Sequence, residues 1–259
     1  MLALLYDVHG NLPALEAVLE DVRRADVGAI VIGGDVLPGP MPRETLDRLL
    51  TLDRPVHFIH GNGDLAVLAQ MAASDPRDVT YWGTASGRPL PEPLQEVLRW
   101  TARQLTADDR RRLEGWSATC RLEIAGAGAV LFCHATPRNE TEGFTQMTPE
   151  DRLVPIFDAA QAAVVVCGHT HMQFDRTIGR TRVLNAGSVG MPFQAPGAYW
   201  LLIGPDVQLR HTPYDLAAAA TRIRGTAYPQ AEEFAERNVL HPPSEDEMLA
   251  IFATAALKR

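Results

Sequence analysis

Four short runs carry side chains able to hold cations: Asp7-Val8-His9, Gly34-Asp35, Gly61-Asn62 and Gly168-His169-Thr170-His171, with His134 between the last two. Together they offer two Asp, one Asn and four His. Asp is a hard anionic ligand, His a neutral borderline nitrogen donor and Asn a weak carbonyl oxygen. Such a mixed set suits Mn²⁺, Fe or Zn²⁺ better than Ca²⁺ or Mg²⁺. It is enough for two adjacent metal sites around one shared carboxylate, the arrangement that makes hydroxide from water and presents it to phosphorus. In Gly168-His169-Thr170-His171 the imidazoles stand at i and i+2. On a helix they would diverge; on a loop or extended segment they point the same way, so each can reach a different ion of a close pair.

Each run sits just after, or at the end of, a short apolar segment that reads as a buried strand. Leu2 to Tyr6, Ala29 to Ile32 and Val56 to Ile59 are the first three. Asn11 reads as an N-cap with Pro13 in the first turn, and Leu12, Leu15, Val18, Leu19 and Val22 recur at helical spacing. A second helix runs from about Glu44 to Leu50. The alternation β-α-β-α-β signals parallel pairing. Residues 74–116 interrupt it as a helical insertion: Pro89, Pro91 and Pro93 lead into a helix near 94–104, and Thr106 with Asp109 forms a capping-box pattern that starts another. Trp82, Trp100 and Trp116 in this segment read as packing residues.

Strands resume at Arg121–Ile124, Ala129–Cys133, Ala163–Cys167, Gln173–Ile178, Thr181–Leu184, Tyr199–Ile203 and Val207–His211, the later ones spaced as antiparallel hairpins. From Asp215 the chain is helical in three pieces, punctuated by Tyr228-Pro229 and His241-Pro242-Pro243. We therefore expect one α/β domain over 1–212 and a helical C-terminal extension, 213–259, packed on it. Ligand runs at the carboxyl ends of strands match the edge where open α/β sheets gather ligands.

The bulk composition narrows the function. Lys+Arg 24 against Asp+Glu 32 gives a net charge of −8, and no basic stripe is present, so the chain is a poor partner for nucleic acid. The three cysteines have no metal-like spacing; Cys133 and Cys167 lie in apolar runs and fit a reducing cytoplasm. MLALLYD is too short and too soon acidic for a signal peptide, and nothing approaches a membrane span. A cytoplasmic protein acting on a small molecule is expected; a homo-oligomer stays open.

The motifs resemble the calcineurin-like metallophosphoesterases, in particular their small bacterial phosphodiesterase-like branch, over about residues 2–205. The residues that carry this are Asp7-Val8-His9-Gly10-Asn11, Gly34-Asp35 with Gly39-Pro40, Gly61-Asn62, Phe132-Cys133-His134-Ala135-Thr136-Pro137, Gly168-His169-Thr170-His171 and Asn185-Ala186-Gly187-Ser188-Val189-Gly190. The resemblance implies a four-layer α-β-β-α sandwich of two mixed sheets. It implies that Asp7, His9 and His171 bind a first divalent ion, that Asn62, His134 and His169 bind a second, and that Asp35 bridges them. Mn²⁺ is the expected metal, with Fe, Zn²⁺ and Ni²⁺ as alternatives. Asn62 and His134 then also stand at the reacting phosphate, Asp64 orients Asn62 or a water, and Arg138 and Arg43 are candidates to grip a phosphate oxygen.

At one position the chain departs from the broader family. Many members carry a His directly after the Asn of the third motif, a general acid for the leaving oxygen; here that position is Gly63. General acid help is worth about 10²–10⁴ in rate. A bridging hydroxide attacking without it favours a small nucleotide-like or aryl diester, whose leaving group is acidic. The competing readings are a phosphomonoesterase or protein phosphatase, and a non-catalytic binding scaffold on the same fold.

Overall fold

The computed structural model describes residues 1–74 and 90–254. Ten strands form in chain order: β1 (Leu2–Leu5), β2 (Ala29–Gly33), β3 (Val56–Ile59), β4 (Thr119–Ile124), β5 (Gly128–Cys133), β6 (Val164–Cys167), β7 (Gln173–Ile178), β8 (Thr181–Ala186), β9 (Ala198–Ile203) and β10 (Val207–Thr212). The helices are α1 (Leu12–Arg24), α2 (Pro42–Leu50), α3 (Asn62–Ala72), α4 (Glu92–Gln104), α5 (Ala107–Glu114), α6 (Glu150–Ala159), α7 (Leu216–Arg224), α8 (Ala231–Phe234) and α9 (Glu245–Thr254), with a π-helical turn at Ala235–Leu240 after α8.

The strands make two five-stranded mixed sheets, ordered β10-β9-β1-β2-β3 and β4-β5-β6-β8-β7. Each contains a parallel stretch: β1 pairs β2 and β2 pairs the edge strand β3, while β5 pairs β6 and β6 pairs β8. The interior strands β1, β2, β5 and β6 are covered on both faces over most of their length, so they read as apolar runs. The short spacing after residue 170 does produce antiparallel hairpins, β7 with β8 and β9 with β10. They do not share a sheet: β9 crosses over to pair antiparallel with β1.

Side-chain alternation along the strands sets the layers. Leu2, Leu4 and Tyr6 point between the sheets and meet Val130, Phe132, Val166 and Leu184. Ala3 and Leu5 point outward, to a layer that includes Leu15 and Val18 of α1, Val67 of α3, Leu98 of α4 and Ile223 of α7. On the far face of the second sheet, Leu131, Val165 and Val183 are covered by Leu153, Ile156 and Phe157 of α6. This is the four-layer α-β-β-α arrangement.

The insertion and the tail pack into this frame. Thr106 and Asp109 form the capping box that starts α5, Asp109 N–H donating to Thr106 Oγ at 3.2 Å and Thr106 N–H to Asp109 Oδ2 at 2.7 Å. Trp116 stacks on Phe58 with centroids 4.8 Å apart, and Trp100 of α4 meets Tyr228 of the tail edge-on at 5.4 Å. Trp82 and Pro89 lie outside the described residues. Two helices have no counterpart in the sequence reading, α3 and α6.

Asn11 is more than a cap. Its Oδ1 accepts from Ala14 N–H at 3.2 Å, and its Nδ2 donates to the Gly190 carbonyl at 2.9 Å, joining the start of α1 to the loop after β8. Asn11→Ala removes both bonds in a fully buried setting and should cost roughly 2–4 kcal/mol. Asn11→Ser keeps the cap and loses the reach to Gly190, so urea melts of the two variants separate the contributions.

Candidate metal centre

The ligand-bearing loops leave from β1, β2, β3, β5 and β6 at one edge of the sandwich. They remain tied beyond the strand ends. Asp7 N–H donates to the Gly34 carbonyl at 3.1 Å, His9 N–H to Asp35 at 2.9 Å and Gly10 N–H to Val36 at 2.9 Å, so the β1–β2 pairing continues through both loops. Within the second sheet Gly168 N–H donates to His134 O at 2.8 Å, and across the sheets His169 N–H donates to Asp7 Oδ2 at 2.9 Å. Asn185 fixes the Gly168–His171 loop from beneath, its Nδ2 donating to Gly168 O at 2.7 Å and Thr170 Oγ at 3.0 Å.

Backbone conformation aims the side chains. Among the described residues seven non-glycine positions have φ in the left-handed region, and five of them are Asp7, His9, Asp35, His169 and His171. Asp and His tolerate this region better than most residues, but each instance costs about 1–3 kcal/mol. The turn folds each chain back sharply after its strand. His169 and His171 therefore reach different neighbours through two left-handed turns; the segment is not extended.

Two groups of donors result: Asp7, His9 and His171, and Asp35, His134 and His169, with donor atoms in each group within 4.8 Å of one another. They meet at Asp35. Its Oδ2 lies 3.7 Å from His9 Nε2 and 3.5 Å from His134 Nε2, one nitrogen from each group. Four of these side chains are anchored by their outer atom. Asp35 Oδ1 accepts from Gly63 N–H at 2.7 Å, and Asp7 Oδ2 accepts from His169 N–H. His134 Nδ1 sits 2.9 Å from the Gly33 carbonyl, and His171 Nδ1 sits 2.6 Å from the Met191 carbonyl. A carbonyl only accepts, so both Nδ1 atoms carry a proton and both Nε2 atoms point inward.

Few of the inward atoms meet a donor; the exception is the Asn62 side-chain oxygen, 3.1 Å from His134 Nε2. Asp7 Oδ1 is buried without a hydrogen-bond partner. His9 Nε2 and His171 Nε2 face each other at 3.2 Å, where at most one can carry a proton. The Asn62 amide lies 2.9 Å from His169 Nδ1 and 3.1 Å from His134 Nε2, beside the Glu140 carbonyl at 3.2 Å. With its NH₂ inward it donates to these acceptors; with its oxygen inward it accepts from His134 Nε2 while that nitrogen is protonated, and once the proton leaves four acceptor atoms converge, as around a cation. Orphaned Asp7 Oδ1 and this donor set fit divalent metal ions.

Protonation follows from the same crowding. Burial opposes charge on His134, but the carboxylates of Asp35 and Asp7 override it and push the imidazole up to about 10. Burial holds His9 and His169 neutral, lowered to about 4. Burial also works against ionised Asp7 and Asp35, yet the imidazoles of His171 and His134 keep both below the usual carboxylate range.

Asp64 does not touch the Asn62 side chain. Its carboxylate accepts from Leu37 N–H at 3.0 Å and Gly61 N–H at 2.9 Å, locking the Asp35 loop to the start of α3; burial and the charge of Asp35 raise it to about 7. The two arginines are committed to carboxylates. Arg138 forks onto Glu142 with contacts of 2.6–3.0 Å, and Arg43 reaches Asp47 at 3.1 Å and Asp109 at 3.5 Å. Phe193, which the sequence reading passed over, stacks on His171 with centroids 4.7 Å apart. Its packing on His171, beside the Met191 carbonyl that holds the same ring, is visible only in three dimensions.

Glycines admit the close approaches. A Cβ on Gly61 would stand 2.1 Å from Asp35 Oδ1. At Gly63 it would stand 2.3 Å from the Leu37 carbonyl and 3.0 Å from Asp35 Oδ1, so position 63 cannot hold any side chain in this backbone.

Comparison with known proteins agrees with this geometry. The family model of the calcineurin-like phosphoesterase superfamily domain matches residues 1–204. The chain belongs to this superfamily. Its class of chemistry is therefore phosphoric ester hydrolysis with divalent metals. An uncharacterized protein of Methanocaldococcus jannaschii is 23% identical over 250 residues, covering 89% of this chain and 94% of the relative. The crystal structure of a hypothetical protein from Pyrococcus horikoshii OT3 has the same fold, at TM-score 0.77 and 21% identity, covering 94% of this chain and all of the other. A metallophosphoesterase from Sphaerobacter thermophilus superposes at TM-score 0.64 with 24% identity, covering 90% and 97%. Among the described residues no helix is long and apolar enough to cross a membrane.

Three outcomes are expected. Without metal, stability should peak near neutral pH. Below it His9 and His169, lowered to about 4, bind fewer protons folded than unfolded, so stability falls as pH drops from about 6.5 towards 4. Above it His134, raised to about 10, holds a proton the unfolded chain has lost, so stability falls as pH rises. Metal uptake at pH 8 should release that His134 proton, read by calorimetry in buffers of differing ionisation enthalpy. Gly63→Ala should destabilise the fold by about 1–3 kcal/mol and weaken metal binding, read by thermal melts with and without Mn²⁺.

Proposed function

We propose that this protein is a dinuclear metal-dependent phosphodiesterase acting on a small nucleotide-like or aryl diester. The observation that carries the reading is the meeting of two donor groups at Asp35 Oδ2, within 3.7 Å of His9 Nε2 and 3.5 Å of His134 Nε2. In this reading Asp7, His9 and His171 hold one divalent ion and Asn62, His134 and His169 the other, with Asp35 shared. A pair of divalent cations so held supplies water activation and neutralises charge on the phosphoryl oxygens.

The chain's own residues do the rest. The tethers on Asp7, Asp35, His134 and His171 fix four donors before metal arrives, which lowers the reorganisation needed at the reacting phosphate. Asp64 acts through the backbone, holding the Asp35 and Asn62 loops in register. In this reading Asn62 and His134 also stand at the reacting phosphate. Arg138 or Arg43 can join them only by releasing Glu142 or Asp47.

The preference for diesters rests on Gly63. With no room for a side chain there, no general acid stands at that position, and leaving groups must depart with little protonation. Acidic phenols and activated diesters suit this; alkyl monoesters do not.

The decisive measurement compares bis(p-nitrophenyl) phosphate with p-nitrophenyl phosphate on Mn²⁺-loaded protein. The diester should be preferred in kcat/KM; both compounds release p-nitrophenolate, so the missing general acid is read separately, by exchanging that leaving group in the diester for the more basic phenolate, which should lower turnover by about 10²-fold or more. Asp35→Asn should lower turnover by about 10²-fold or more and reduce bound metal below two per chain by elemental analysis. A strong monoester preference would defeat the diester reading. Near-zero bound transition metal with no activity on Mn²⁺ addition would defeat the enzyme reading.

A further inference from the structure

Phe193 is fixed beside the metal centre without belonging to it. Its ring lies on His171 with planes inclined by 27°, and its N–H donates to the His171 carbonyl at 3.2 Å. The ring is half-buried, so part of it faces solvent next to a ligand imidazole. The rings that fill the neighbouring core, Phe144 and Phe157, are fully enclosed.

A second half-buried ring comes from the last helix. Phe252 of α9 lies over Gly143, where a Cβ would stand 3.3 Å from the ring and 3.9 Å from the Thr170 methyl. Thr170 separates His169 from His171. A single clamp holds both rings in place. Glu245, at the start of α9, accepts from Gln146 on one side and from Gln194 at 3.3 Å on the other. Gln194 follows Phe193, and its Oε1 accepts from Gln173 N–H at 3.0 Å. The Gly168–His171 loop is thus flanked by an aromatic ring on a clamped loop and by one on a clamped helix.

We propose that Phe193 and Phe252 are specificity-determining residues, an aromatic wall that receives the ring carried by the spared ester group of a phosphodiester. The inference rests on the phosphodiesterase reading above. Ring-on-ring stacking tolerates any flat aromatic group, aryl or nucleobase, and needs no hydrogen-bond code. The net charge of −8 and the lack of a basic stripe argue for a small diester over a polynucleotide.

The test uses three diesters that all release p-nitrophenolate: the p-nitrophenyl esters of methyl phosphate, phenyl phosphate and thymidine 5′-phosphate. The full chain is loaded with Mn²⁺. Phe193→Ala and Phe252→Ala should each lower kcat/KM for an aromatic ester relative to the methyl ester by at least about fivefold, chiefly through KM. Phe193→Tyr, which keeps the ring, should hold the wild-type ratio. Loss confined to the phenyl ester identifies an aryl substrate; loss confined to the thymidine ester identifies a nucleotide. An unchanged ratio, or an equal loss on all three esters as expected if Phe193 only positions His171, overturns the inference while leaving the phosphodiesterase reading intact. Wild-type protein that turns over none of the three overturns both.

Discussion

Asp7 Oδ1 is the atom on which the arrangement turns. It is buried, has no hydrogen-bond partner, and lies 3.4 Å from His171 Nε2 and 3.8 Å from His134 Nε2. An unpaired carboxylate oxygen in that setting is expensive, because burial penalises the charge and no N–H repays it. The folded chain relieves the penalty in part by keeping a proton on His134, a local positive charge between two carboxylates. A cation relieves it better, since it satisfies the lone pairs of Asp, His and Asn together. The cluster is thus electrostatically frustrated by itself and settled by the ligand it suits.

That frustration has to be contained by the scaffold. Left to relax, Asp7 and Asp35 would swing outward to solvent, and the imidazoles would rotate to find donors. Each escape is blocked by a bond to the atom facing away from the cluster: Gly63 N–H on Asp35, His169 N–H on Asp7, and the Gly33 and Met191 carbonyls on His134 and His171. Most partners are backbone groups in loops that extend the strand ladders, so they do not move independently. The left-handed φ values at five donors are the conformational cost of turning so soon after a strand. Strain at the ligands is supported by strands packed on both faces.

This division explains what could be read from the sequence. The strands were legible because parallel strands in a covered sheet must be apolar throughout, as in Leu2–Leu5 and Val164–Cys167. Helix α1 was legible because Asn11, Pro13 and the Leu12/Leu15/Val18/Leu19/Val22 stripe all point to one structure. Helix α3 was not: it is capped at Gly61, which has no side chain to signal a start, and the signal lies in Asp64 reaching back to Gly61 N–H. Helix α6 was hidden by Pro149 at its cap and Pro155 inside it, although Leu153, Ile156 and Phe157 keep helical spacing. The donor runs stood out because Asp, Asn and His at strand ends serve no packing purpose. The tethers escaped notice because they are backbone N–H and C=O groups, which every residue type supplies. Arg138 and Arg43 looked available although Glu142 and Asp47 stand four residues on; the spacing marks a pair only where the chain turns back on itself, as α2 does between Arg43 and Asp47.

The proposed roles of holding a metal and choosing a substrate fall to different parts of the chain. All the candidate donors lie between residues 7 and 171, inside the span that matches the superfamily. The features that wall the adjoining space come later, from the 191–194 loop and from α9, and α9 lies beyond the matched residues altogether. Helix α7 covers the core through Ala219, Ala220 and Ile223, and its charged contact to the domain, Arg222 with Glu16 of α1, lies on the exposed face away from the donor loops. Helix α9 instead invests a carboxylate, Glu245, in joining two loops that border the Gly168–His171 segment. Hydrogen bonds from neutral amides to one carboxylate add little net stability when partly exposed, but they fix relative position. Positional control at the rim of a metal cleft matters for which ester group fits there, and it leaves the donor loops, already rigid, undisturbed.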